Sequence, residues 1–212
     1  MTEFIERSET MRQALSRAID AIDGETVTLR SLIRLIGEHG LLFICALLTI
    51  PFLIPVSIPG VSTVFGLGIL MIAIGITLNR PPWLPDRLQD RPISASKLKP
   101  VLVRGMGWLE RIEKVIRPRM GALTDGALMQ RINGLAIILG AVLLMFPLGL
   151  VPFSNTLPAL AILFLAVGMS QRDGWLVIAG HAMNVATIIY FGVLALAAYA
   201  AGRGLLSIFG GG

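Results

Sequence analysis

From Leu41 to Leu78 the chain holds no charged side chain. A stretch of that length is about twice the ~20 residues that cross a ~30 Å hydrocarbon core as a helix. Its centre, Pro51-Phe-Leu-Ile-Pro55-Val-Ser57-Ile-Pro59-Gly60, carries a proline at every fourth position. Each ring removes a backbone donor and clashes with the preceding turn, so one continuous helix is excluded. The expectation is two apolar helical limbs joined by a non-helical apex.

A second stretch, Leu135 to Met169, repeats the plan. It is uncharged and takes Pro147, Pro152, Ser154 and Pro158 in the order of Pro51, Pro55, Ser57 and Pro59. Gly40 and Gly134 lead the outgoing limbs. The returning limbs end in Gly75, Arg80, Trp83 and in Gly168, Arg172, Trp175. Rare residues recurring in one order point to an internal repeat, of parallel or inverted sense. Repeated broken helices are a hallmark of transport folds, with the site at the repeat interface. Each hairpin either spans twice or dips and returns, and limbs of about 15–20 apolar residues accommodate both.

Hydrophobic residues make up 55% of the chain and charged ones 15%, with a mean hydropathy of +0.79. A soluble protein could not hide that much apolar surface, so an all-α integral membrane protein is expected. The net charge of +5 is unevenly placed. Residues 1–39 carry five Arg against seven Asp/Glu, whereas residues 79–131 carry eleven Lys/Arg against five Asp/Glu. A basic loop between apolar blocks marks the cytoplasmic side. The expected partners are the lipid bilayer and its anionic headgroups, with Arg80, Arg117 and Arg119 as headgroup ligands. Nucleic acid is not expected, since no recognition motif appears. The single Cys45 rules out an intrachain disulfide framework and a cysteine metal cluster. No cofactor is expected. Met1 to Gly24 is charged and lacks the apolar core of a signal peptide.

One membrane domain, 1–212, follows. Residues 1–39 form amphipathic helices, Ser8 to Ile22 and Leu29 to Glu38, the second capped by Thr28 and both lying on the membrane surface. Residues 40–78 and 134–169 are the broken hairpins. Residues 79–131 are the basic segment, with an interfacial helix at Leu98 to Ile116. Residues 175–201 are one ordinary transmembrane helix, followed by a fraying tail from Arg203.

The apices are the best candidates for a substrate site. A helix resuming after Pro59 or Pro158 starts with free N–H groups and a partial positive charge, which suit an anion. Ser57, Gly60, Ser62, Ser154, Asn155 and Thr156 add polar groups and bare backbone there; the plainer reading is that they cap broken helices. Arg172-Asp173 forms either an internal ion pair or a simple turn. His181 and Asn184 share one helix face, where the histidine either relays a proton or bonds to the asparagine. The apolar blocks hold no paired carboxylates, and no metal-ligand cluster, nucleophile elbow or P-loop is present, so enzymatic chemistry is not expected.

Several pieces together are distinctive: Pro51-x3-Pro55-x3-Pro59-Gly60, Arg80-Pro-Pro-Trp83-Leu-Pro85, Trp108-Leu-Glu110-Arg-Ile-Glu113 with Arg117-Pro-Arg119, Ser154-Asn155-x2-Pro158-Ala159, and Arg172-Asp173-Gly174. In this combination, over roughly residues 26–195, the chain resembles the exopolysaccharide-synthesis ExoD family of bacterial membrane proteins. The resemblance implies an inner-membrane protein linked to exopolysaccharide production. The hairpin pattern alone also resembles that of DedA-type lipid transporters, which is an analogy of architecture. The function expected is a small carrier or flippase for an anionic or lipid-linked substrate. The alternative is a non-transporting scaffold for polysaccharide-synthesis enzymes, and a membrane enzyme acting on a lipid phosphate ranks last. A homodimer is expected, because so few spans make a thin bundle and glycine-lined limbs invite a partner.

Overall fold

A computed structural model describes residues 16, 19, 20, 22, 26–54, 60–80, 90, 92–96, 98–100, 102–104, 106–107, 116, 118–146, 148 and 151–209. Its first long element, α1 (Leu29–Thr49), begins where Thr28 Oγ1 accepts the Ser31 amide at 3.2 Å. The cap is the expected one, but the helix does not stop at Glu38. No proline stands between Leu29 and Thr49, and Gly37 and Gly40 each cost only about 1 kcal/mol relative to alanine. Burial of Leu41, Leu42, Cys45 and Ala46 outweighs that cost. The expected surface helix and first limb are therefore one rod.

Pro51 then opens a single 3₁₀ turn, Ile50–Phe52, with its missing donor at a position that needs none. Phe52 is buried edge-on against Phe65, ring centroids 5.7 Å apart. Pro55, Ser57 and Pro59 lie outside the described residues, as do Trp83, Arg117 and most of Ser8 to Ile22. Gly60, at φ +83°, leads into α2 (Val61–Thr77). A side chain there would be strained by the left-handed backbone.

The third helix, α3 (Ala127–Leu144), starts inside the segment expected to be cytoplasmic. Its first turns are held by polar bonds. Gln130 Nε2 donates to Ile76 O at 3.4 Å and Asn133 Nδ2 to Leu123 O at 2.8 Å. After a break come α4 (Thr156–Gln171) and α5 (Gly174–Phe209). The last helix runs past the expected end at Ala201 and includes the start of the tail expected to fray; no proline interrupts it. Pro158 is the third residue of α4, not its first, and is tolerated because the first four helical N–H groups lack internal partners anyway. The fold is mostly helical, as expected, with one three-residue antiparallel ribbon, β1 (Thr26–Thr28) with β2 (Pro92–Ser94). Arg30 clamps it beside Asp90, Nε to Oδ1 2.9 Å.

Packing orders the helices. The heaviest contacts are α4 on α5, α2 on α3, α1 on α4 and α3 on α4. Small residues set the distances between the helices. A Cβ on Gly66 of α2 would lie 2.5 Å from Met145 Cγ, just past the end of α3, and one on Gly134 would meet Thr77 at the far end of α2. The helices are thus antiparallel, and the break before α2 adjoins the break after α3. Likewise Gly168 of α4 meets Val177 of α5, while Gly180 meets Leu165 and Ala161. Both breaks therefore lie at one end of the bundle. Two described helices are long and apolar enough to cross a membrane, Ala127–Leu144 and Gly174–Arg203, and three apolar helices are shorter.

Candidate functional site

The sequence-selected residues fall into three places. At the break end, Ser62, Ser154, Asn155 and Thr156 are all buried, and Pro158 with them. Ser154 serves its own loop: its Oγ lies 3.0 Å from Leu148 O and 2.8 Å from Val151 O, sharing one proton between them. Phe153 at φ +61° turns the chain into α4, and Asn155 occupies the cap position with no side-chain cap bond. Tyr190 reaches across from α5 and donates to Pro152 O at 2.7 Å. The carbonyls of Leu148, Val151 and Pro152 are thus satisfied by side-chain hydroxyls of Ser154 and Tyr190.

The second place is a polar seam between α3 and α5. His181 and Asn184 share a face as their spacing requires, but they do not bond each other as anticipated. Both reach to α3. His181 Nε2 lies 2.9 Å from Asn133 Oδ1, and Asn184 Nδ2 donates to Ala136 O at 2.8 Å. Because the Asn133 amide N–H₂ is committed to Leu123 O, its oxygen faces the imidazole, which therefore carries its proton on Nε2. Asn184 Oδ1 is buried without a hydrogen-bond partner and lies 3.3 Å from where a Cβ on Gly140 would stand. Gln130 and Asn133 escaped selection, although they share the three-residue spacing of His181 and Asn184, and Asn133 faces His181.

The third place is the opposite, basic end. Arg119 N donates to Arg172 O at 3.1 Å and Gly174 N to Arg119 O at 2.8 Å, so residues 119–120 clasp the α4–α5 turn. Arg172 adopts φ +53° there. Asp173 is no ion-pair element: its Oδ1 accepts the Trp175 amide at 3.0 Å, capping α5. Arg172 Nε lies 3.8 Å from Asp125 Oδ1. Arg80 and Arg119 are exposed on this end. No group of metal-ligating side chains is assembled among the described residues.

Comparison decides the family likeness. Residues 11–193 match the family described as exopolysaccharide synthesis, ExoD. The chain belongs to the ExoD family. It is 55% identical to Protein ExoD of Rhizobium meliloti over 207 residues, covering 98% of this chain and 86% of that protein. It is 31% identical over 163 residues to an uncharacterized protein of Synechocystis, covering 76% of each. No solved structure matches. Family membership links the chain to exopolysaccharide synthesis.

Proposed function

We propose that the chain is a multi-pass protein of the bacterial inner membrane, one membrane domain with residues 79–131 on the cytoplasmic side. It serves exopolysaccharide synthesis as a small carrier or flippase, without catalytic chemistry of its own. One observation carries the reading: two helix breaks from separate parts of the chain sit at one end of the bundle, with Ser62, Ser154, Asn155 and Thr156 buried among otherwise apolar residues. Broken helices at a shared interior are how transporters bind within a bilayer. On this reading the positive end of the α4 dipole, at Thr156 beside Asn155, favours an anionic head group. In liposomes the Asn155→Ala protein keeps its fold, judged by gel filtration, and loses transport of a lipid-linked phosphate. Transport at the parent rate with Asn155→Ala contradicts the site.

A second reading has its own observation. Lys99, Arg104 and Arg119 are exposed, as a scaffold docking polysaccharide enzymes would require. Replacing Lys99 and Arg104 by Glu separates the two: a scaffold loses partner capture, whereas a carrier keeps its transport.

A further inference from the structure

Among the described residues, nothing packs on the distal half of α5. At Tyr190 and Phe191 the helix meets the second break, through the bond to Pro152 O and through Phe146, ring centroids 5.8 Å apart. Beyond that level a Cβ on Gly192 or Gly202 would meet no heavy atom within 4 Å, and Val193, Leu196 and Tyr199 are exposed.

Yet this bare rod carries membrane-surface chemistry at both ends. Trp175 is exposed at its start, and Tyr199 lies near the far end with the Arg203 guanidinium 5.4 Å from its ring centroid. Indole and phenol rings settle at headgroup level, and arginine extends toward it. At ~1.5 Å per residue the two rings stand roughly 36 Å apart along the axis. That falls between a ~30 Å hydrocarbon core and the ~40–45 Å of a whole bilayer. The second break, level with Tyr190, stops roughly 14 Å short of Tyr199, within the hydrocarbon.

The surface at that end agrees independently. Ile54 is 64% exposed, Phe153 54% and Phe146 48%, so the break ends display large apolar side chains. The charged residues nearest the breaks along α1 to α4 are Glu38, Arg80, Arg131 and Arg172, all at the other end of the bundle.

We propose that α1 to α4 enter the membrane from the basic end only and stop inside it, that α5 alone crosses, and that acyl chains of the far leaflet cover the break ends and residues 191–203. The inference rests on the membrane reading above and replaces its multiple passes by one crossing, α5, beside helices that enter and return. Anything that reaches the breaks arrives through lipid, so the substrate class is a lipid-borne head group and not a free water-borne anion.

The test is labelling with a membrane-impermeant maleimide in sealed vesicles of both orientations, in a Cys45→Ala background. Single cysteines go in at Asp125, Ile54, Phe153 and Ala201. Asp125→Cys labels from one side and Ala201→Cys from the other. Ile54→Cys and Phe153→Cys label from neither, at least about tenfold slower, because a thiol in hydrocarbon is out of reach and stays protonated. After SDS all four label. Ile54→Cys and Phe153→Cys labelling from the Ala201 side as fast as Ala201→Cys overturns the partial insertion and leaves the membrane reading standing. Asp125→Cys and Ala201→Cys labelling from the same side sinks both. Efficient disulfide pairing of Leu196→Cys between chains shows a second copy on the distal helix, and the lipid assignment fails.

Discussion

Glycines that look alike in the sequence carry very different loads. A Cβ on Gly180 would lie 2.5 Å from Leu165 Cγ and 2.9 Å from Leu165 N, whereas one on Gly192 would touch nothing. Gly180→Ala should therefore cost about 1–3 kcal/mol through overpacking, and Gly192→Ala should be neutral or slightly stabilising, as thermal unfolding in detergent will show. The seam offers a second residue-scale test. Asn133 holds both Leu123 O and His181, so Asn133→Ala should destabilise more than His181→Ala. A double-mutant cycle between them should return a coupling of about 0.6 kcal/mol, the usual size for polar contacts between membrane helices. Spacing made it legible that His181 and Asn184 share a face. It could not name what they face, because helix periodicity says nothing about the neighbouring helix. Asn133 stayed hidden because it sits beside the basic segment, where polar residues are ordinary.

The breaks were the most legible elements, because proline acts on its own helix and needs no tertiary context. Thr28 was legible for the same reason, and Thr28→Ala should cost about 1 kcal/mol in unfolding free energy by loss of the Ser31 bond. Gly60→Ala should cost about 1 kcal/mol or somewhat more, from its left-handed backbone alone, since no atom lies within 4 Å. A cost near zero for Gly60→Ala would mean that this turn is not fixed. Helix continuity was less legible. Charges at Arg30, Arg34 and Glu38 suggested a separate surface helix, yet nothing between Leu29 and Thr49 stops propagation, and burial of the second half carries the first along. The early start of α3 at Ala127 depends on Gln130 and Asn133 finding carbonyls elsewhere in the fold. The pairing of Thr26–Thr28 with Pro92–Ser94 is a long-range contact between short polar segments, which leaves no periodic trace.

For the whole molecule, the decisive relation is which end each break occupies. Order of prolines gave two like hairpins but not their mutual sense, because a sequence repeat is blind to direction across the membrane. The close approach of Gly66 to Met145 and of Gly134 to Thr77 supplies it. Nitroxide labels at Ile54→Cys and Phe153→Cys, again in a Cys45→Ala background, measure it directly by pulsed electron spin resonance. Breaks at one end of neighbouring helices predict a separation below the ~26 Å length of α2. A narrow distribution centred well above that length, with the two labels at opposite ends of the bundle, would contradict the account.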